Sequence, residues 1–154
     1  MHIIDARLAE LGIVLPPAMA PVANYVPYVV TGNLVVISGQ LPAVDGKVAV
    51  TGKVGAEVSV EQGQQAARLC FTNLLTQLRA ACGGDLDRVK RVVRLGGFIA
   101  SPESFTQHAT VMNGASDLAV AVFGDAGRHA RSTIGVPALP LDAAVEVEGL
   151  FEIG

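Results

Sequence analysis

The sequence predicts an α+β domain in which a mixed sheet carries two long helices on one face. Three observations lead there. Stretches with strand and helix character follow one another in the order ββ, α, β, α, ββ. The apolar pattern changes from alternation to a period of 3.6 at Ser59. After the second helix no amphipathic helix remains to cover the other sheet face, although Val, Leu and Ile are too abundant to leave it wet. A second copy of the chain is the expected cover.

The elements follow in order. "ARLAELGIVLPP" reads as a short helical lead-in stopped by Gly12 and Pro16-Pro17. Two β-rich runs flank Thr31-Gly32-Asn33, a hairpin signal, and the Gly-punctuated "PAVDGKVAVTGKVGAE" reads as loop or a short excursion. Ser59 and Gln62 form an S-x-x-Q capping box. Ala67, Cys70, Leu74, Leu78 and Ala81 then make one apolar stripe ending at Gly83-Gly84. "RVKRVVRLGGFIA" is a β-branched strand whose Gly-Gly marks a candidate bulge. Ser101-Pro102 reads as an N-cap with proline at the first helical position of a helix reaching Phe123. Its centre holds Asn113-Gly114, poor helix chemistry that marks either a local end or a close backbone approach. The last two strands lie in "HARSTIGVPALPLDAAVEVEG" and read as a hairpin with Arg131 opposite Glu148 and Thr133 opposite Glu146.

Composition narrows the function. At 154 residues the chain is long enough for one core, and 51% hydrophobic against 16% charged residues is greasy for a monomer, a second reason to expect self-association. No stretch reaches the roughly 18–20 apolar residues of a membrane span. Neither a secretory leader nor an N-x-S/T site is visible. Cys70 and Cys82 stand twelve residues apart on one helical stretch, about 18 Å, too far to pair. Two free thiols suit a reducing compartment, and a cytoplasmic location is expected. The net charge of −3 and pI near 5.5 give no general attraction to nucleic acid or anionic lipid. Alternation puts Arg88, Lys90 and Arg94 of "RVKRVVR" on one strand face with Arg91 opposite, read as a solvated face.

Familiar motifs fail. "GKVAVTGKV" has five residues between Gly46 and Gly52, and Val54 where a phosphate loop needs Ser or Thr. His2, His108 and His129 form no H-x-x-x-H pair and no cysteine stands at ligand spacing, so no metal is expected. There is neither a G-x-S-x-G elbow nor a G-x-G-x-x-G fingerprint. A Ser–His–Asp set from Ser38 or Ser116 with His129 stays open beside the plainer reading of each serine as a turn or cap.

Polar groups in apolar context remain: Tyr25, Ser38-Gly39-Gln40, Asn113, Arg131 and Glu146. Singly they read as a strand-edge aromatic, a strand end and a helix-surface amide. Arg131 and Glu146 read as an exposed cross-strand pair, worth under about 1 kcal/mol, or as an anion site with a general base beside it. The hairpin register puts Arg131, Thr133, Glu146 and Glu148 on one sheet face.

"GNLVVISGQLP", "AARLCFTNLLTQL" and "HARSTIGVPALPLDAAVEVEG" together resemble the Rid family, the reactive intermediate deaminases also called YjgF-like or L-PSP proteins, from about Tyr25 to the C-terminus. The resemblance implies a chorismate-mutase-like fold, a homotrimer with clefts between subunits, and hydrolysis of small 2-imino or enamino acids to 2-keto acids and ammonia with no metal or cofactor. It makes Arg131 the carboxylate clamp, Glu146 the group beside the attacking water and Tyr25 the active-site tyrosine. Ser38, Gly39 and Asn113 line the cleft, with Thr133 where the deaminases carry cysteine. The extra segment at residues 1–20 and the "GDAGRHAR" lead into Arg131 mark a divergent subgroup. Arg128 and His129 read as loop charges or as an enlargement of the anion site. A non-catalytic carboxylate-binding trimer and an RNA-cleaving translation inhibitor are the alternative readings.

Overall fold

The computed structural model describes residues 2–18 and 24–154; positions 1, 19 and 20 of the expected N-terminal extension lie outside them. Helix α1 (Ile3–Glu10) is followed by β1 (Tyr28–Thr31), β2 (Leu34–Gln40) and a small hairpin of β3 (Ala43–Val44) and β4 (Lys47–Val48). Then come α2 (Val60–Ala81), β5 (Val89–Ala100), α3 (His108–Phe123), β6 (Ala130–Val136) and β7 (Val145–Ile153). Five strands form one sheet in the order β1-β2-β7-β5-β6, with β5 and β6 parallel and the other pairs antiparallel.

The capping box forms as read: Ser59 Oγ accepts from the Gln62 N–H while the Gln62 side chain accepts from the Ser59 N–H. The stripe of α2 packs on the sheet through Ala67, Cys70, Leu74 and Leu78, all fully buried. Asn113-Gly114 does not end α3. A Cβ on Gly114 would strike the backbone carbonyl of Gln64, so glycine lets α2 and α3 cross closely. Helix α1 belongs to the same core through Ile4 and Leu8. Its first N–H groups, on Ile3 and Ile4, donate to the two carboxylate oxygens of Asp87 at 2.9 Å each.

Four local readings are corrected. Helix α3 begins at His108, not at Pro102. Ser101 still belongs to the sheet edge, its N–H bonding Val136 O, and Pro102 opens only a single turn closed by Phe105 N–H. The register of β5 runs unbroken through Gly96-Gly97; its irregularities fall between Val89 and Arg91 and between Val92 and Arg94. Those extra residues reset the alternation, so Arg91 and Arg94 share a face. The glycines serve close approach instead, Gly96 beneath Glu148 and Gly97 beneath Met112.

The fourth correction bears on the site. β6 and β7 form no hairpin, because β5 lies between them. A strand reached from β5 through a helical crossover pairs with it in parallel, which gives β6 the outer edge of β5. The chain then arcs over the end of β5, and β7 takes the inner edge. Arg131 and Glu148 are therefore not cross-strand partners; Glu148 meets Arg94 at 3.5 Å instead.

Candidate functional site

Side chains in register across the sheet share a face. Arg131 lies level with Leu95 and Gly149, and Thr133 with Gly97 and Val147, on the face that carries the helices. Glu146 lies level with Phe98 and Ile134, and Glu148 with Gly96 and Ser132, on the open face. The four expected neighbours thus occupy opposite faces of the sheet.

Arg131 is held by α3. Its Nη1 donates to Asn113 Oδ1 at 2.8 Å and to Ser116 Oγ at 2.9 Å, and its Nη2 donates to Ala109 O at 3.1 Å. Ala109, Asn113 and Ser116 fall at i, i+4 and i+7, one stripe of the helix. A guanidinium has five N–H donors. The Nε–H and one Nη2 hydrogen keep no partner among the described residues, enough for one bidentate carboxylate. No acidic group pairs with Arg131 among those residues. Two residues on, Thr133 Oγ1 is buried with no hydrogen-bond partner, an arrangement native interiors rarely keep.

The second cluster gathers around β2. Ser38 Oγ donates to Val26 O at 2.8 Å, and the Ser38 N–H donates to Pro27 O, which fixes the chain approaching β1. The pairing of β2 with β7 shifts register between Ile37 and Gln40, which brings the Gly39 backbone against the Glu146 carboxylate. Burial raises the Glu146 carboxyl above its ordinary pKa, and the neighbouring charge of Glu148 raises it further. Tyr25 and Gly39 line a cavity of about 140 Å³ with Gln40, Asn73, Gln77 and Leu141. Asn73 Nδ2 donates to Leu41 O and Ala43 O, tying that loop to α2.

The predicted residues therefore fall into two groups: Asn113 on α3 with Arg131 and Thr133 of β6 against that helix, and Tyr25, Ser38, Gly39 and Glu146 at the end of β2. Sequence reasoning missed the role of Ser116 as a partner of Arg131, although its spacing from Asn113 was there to see. It left His129 as a loop charge, as part of the anion site, or in a Ser–His–Asp set with Ser38 or Ser116; His129 Nε2 meets Ser116 Oγ at 2.9 Å. No aspartate completes a triad there, for His129 Nδ1 meets the carbonyl of Gly127. Arg128 is a loop charge, exposed and 3.6 Å from Asp125.

The family model described as "YjgF/chorismate_mutase-like, putative endoribonuclease" matches residues 5–153. The chain belongs to the YjgF/Rid family. Protein TCP17 of Trypanosoma cruzi is 52% identical over 97% of this chain and 94% of its own length. The solved structure of Atu1372, a protein of unknown function from Agrobacterium tumefaciens, is 49% identical with a TM-score of 0.92, covering 98% of this chain and 92% of that one. A Shewanella oneidensis structure with the same endoribonuclease description is 37% identical with a TM-score of 0.94, covering 97% and 99%. The mixed α+β architecture read from the sequence is that of the YjgF/Rid fold. Among the described residues no helix is long and apolar enough to cross a membrane.

Proposed function

We propose that this YjgF/Rid protein hydrolyses small 2-imino or enamino acids to 2-keto acids and ammonia in clefts between the subunits of a cytoplasmic homotrimer. The observation that carries the reading is the splitting of the site: an unpaired, braced Arg131 on one face and a Glu146 of raised pKa on the other. A second copy laid against the open face brings one copy's clamp to the other's carboxylate. Val29, Val36 and Ile134 leave that face about half exposed (50%, 46% and 53%), apolar surface that such packing buries.

In this cleft Arg131 takes the substrate carboxylate through its two free N–H groups and so orients the C=N carbon. Asn113, Ser38, Gly39 and Thr133 border the bound substrate, and the Thr133 hydroxyl gains the partner it lacks. Water adds to the C=N carbon, its oxygen forming the new C–O bond while a water proton passes to Glu146. The carbinolamine nitrogen is then protonated, the C–N bond breaks, and ammonia leaves as the C=O forms. Tyr25 lies beside Gly39 to assist this proton movement. A protonated imine is already electrophilic, so no metal or cofactor is called for.

The test generates 2-iminopropionate in place with an amino-acid oxidase and follows its loss. Acceleration by the wild type that disappears in Arg131→Ala is expected. No acceleration by the wild type would overturn the deaminase reading, and acceleration untouched by Arg131→Ala would overturn the site. Pyruvate binding without turnover is the result expected of a carboxylate-binding protein.

A further inference from the structure

We infer that Ser116 and His129 are positioning residues that hold Arg131 in its carboxylate-binding orientation, an inference that rests on the clamp reading of Arg131. Neither residue belongs to the two groups of side chains that border the substrate. They form a directed chain of hydrogen bonds behind the guanidinium, and each link is decided by the chemistry of its atoms.

The chain starts at Gly127, a buried residue that lies against the α3 backbone, where a Cβ would collide with the Ala119 carbonyl. That contact fixes its own carbonyl, which can only accept. His129 Nδ1 lies 2.6 Å from this oxygen and therefore carries the proton. In the neutral ring Nε2 is then bare and can only accept, so the Ser116 hydroxyl, 2.9 Å away, donates to it. With its hydrogen committed, Ser116 Oγ turns a lone pair to Arg131 Nη1, also at 2.9 Å. Without His129 the hydroxyl is free to rotate, and its lone pair is no longer held in one direction toward the guanidinium.

The other partners of Arg131 show why this link matters. Asn113 Oδ1 shares Nη1, and Ala109 O takes one Nη2 hydrogen. Asn113 is exposed on α3, and an amide side chain can turn over. Ser116 is the acceptor whose direction is set from behind, so it fixes the plane of the guanidinium. The two unbonded N–H groups then stay side by side for a carboxylate.

Nitrogen NMR of the full-length protein reads this chain without substrate. In the wild type His129 is expected as the Nδ1–H tautomer, the minor form in water. The Arg131 Nη signals are expected to be resolved, because rotation about Nε–Cζ is hindered. Ser116→Ala and His129→Phe average those signals, and Ser116→Thr, which keeps the hydroxyl, restores them. An Nε2–H tautomer, averaged Nη signals in the wild type, or resolved signals in His129→Phe would each overturn the inference. Steady-state kinetics on 2-iminopropionate add a second reading. Ser116→Ala raises KM about tenfold while kcat stays within about twofold, the mark of lost ground-state positioning; an unchanged KM would count against it. Should the wild type show no turnover, the deaminase reading falls while the NMR signals still decide the positioning role.

Discussion

A Cβ added to Gly39 would fall inside the Glu146 carboxylate, so glycine at this position is what lets β2 and β7 bring backbone and acid together. The obstacle is the far end of a flexible side chain, and so the fold should survive Gly39→Ala while Glu146 is pushed aside. The expected result is a thermal midpoint within a few degrees of wild type and imine hydrolysis reduced about 100-fold, the scale of an ångström misplacement at a reacting centre. Unimpaired hydrolysis in a folded Gly39→Ala protein would remove Glu146 from the proton-transfer role.

Glu146 also gives the protein a pH signature. Its folded-state pKa is raised by burial and then by Glu148. The stability it contributes is therefore complete below the unfolded pKa, near 4.3, and is lost as pH rises through the folded value. Glu146→Gln should match wild type at low pH and exceed it at pH 7 and above, by under about 1 kcal/mol because the group is only partly buried. Denaturant titrations at both pH values check this.

Glu148 acts on that same carboxyl. Removing its charge in Glu148→Gln takes away one cause of the raised pKa, so the acid limb of the activity profile should move to lower pH. The Arg94 ion pair is lost too, but both of its side chains are 43% exposed, so the stability cost should stay under about 1 kcal/mol. An acid limb that stays in place would show that Glu146 is not the group titrating there.

The α2–α3 crossing leaves no room for a side chain at Gly114. Gly114→Ala drives a methyl into the Gln64 backbone, whereas Gly97→Ala meets the flexible Met112 thioether. Overpacking costs typically 1–3 kcal/mol, and Gly114→Ala should lie at or above the top of that range with Gly97→Ala near the bottom. Urea midpoints at unchanged slope would establish the order.

At the N-terminus, Asp87 accepts from two α1 amides, which with His2 lowers its carboxyl below the ordinary value despite opposing desolvation. Its stabilisation is present above the unfolded pKa and lost as pH falls through the lowered one. Asp87→Asn should loosen α1 at neutral pH, with faster amide exchange in Ile4 and Leu8. Wild type should approach the same exchange only in strong acid.

Short-range features were legible because their physics is local. The Ser59–Gln62 box, the stripe of α2, the Gly32-Asn33 turn and the stop after α1 each depend on residues a few positions apart. So did the inference that Asn113-Gly114 marks an end or a close approach, although which of the two needed the position of Gln64. Ser101-Pro102 misled because the Ser101 hydroxyl turns back to the Ile99 carbonyl instead of accepting from the amides ahead of it.

The candidate residues themselves were legible as polar groups in apolar surroundings, and by resemblance. Their arrangement was not. Placing Arg131 opposite Glu148 assumed that consecutive strands pair, and the insertion of β5 between β6 and β7 is a long-range choice that no local pattern encodes. That choice sends Arg131 and Thr133 under α3 and Glu146 to the open face. Local pattern likewise left open whether Ser38 or Ser116 would meet His129; the turn against α3 brings Ser116, thirteen residues away, to it.

The sequence by itself determined the α+β class, the two helices, the family and the residue types suited to binding a carboxylate and moving a proton. Tertiary structure alone decided strand order, and with it the face on which each of those residues stands. Helix stripes and caps are set by neighbours within one or two turns. Strand order is set by which edge the β5–α3–β6 crossover leaves free, and only the folded chain resolves that.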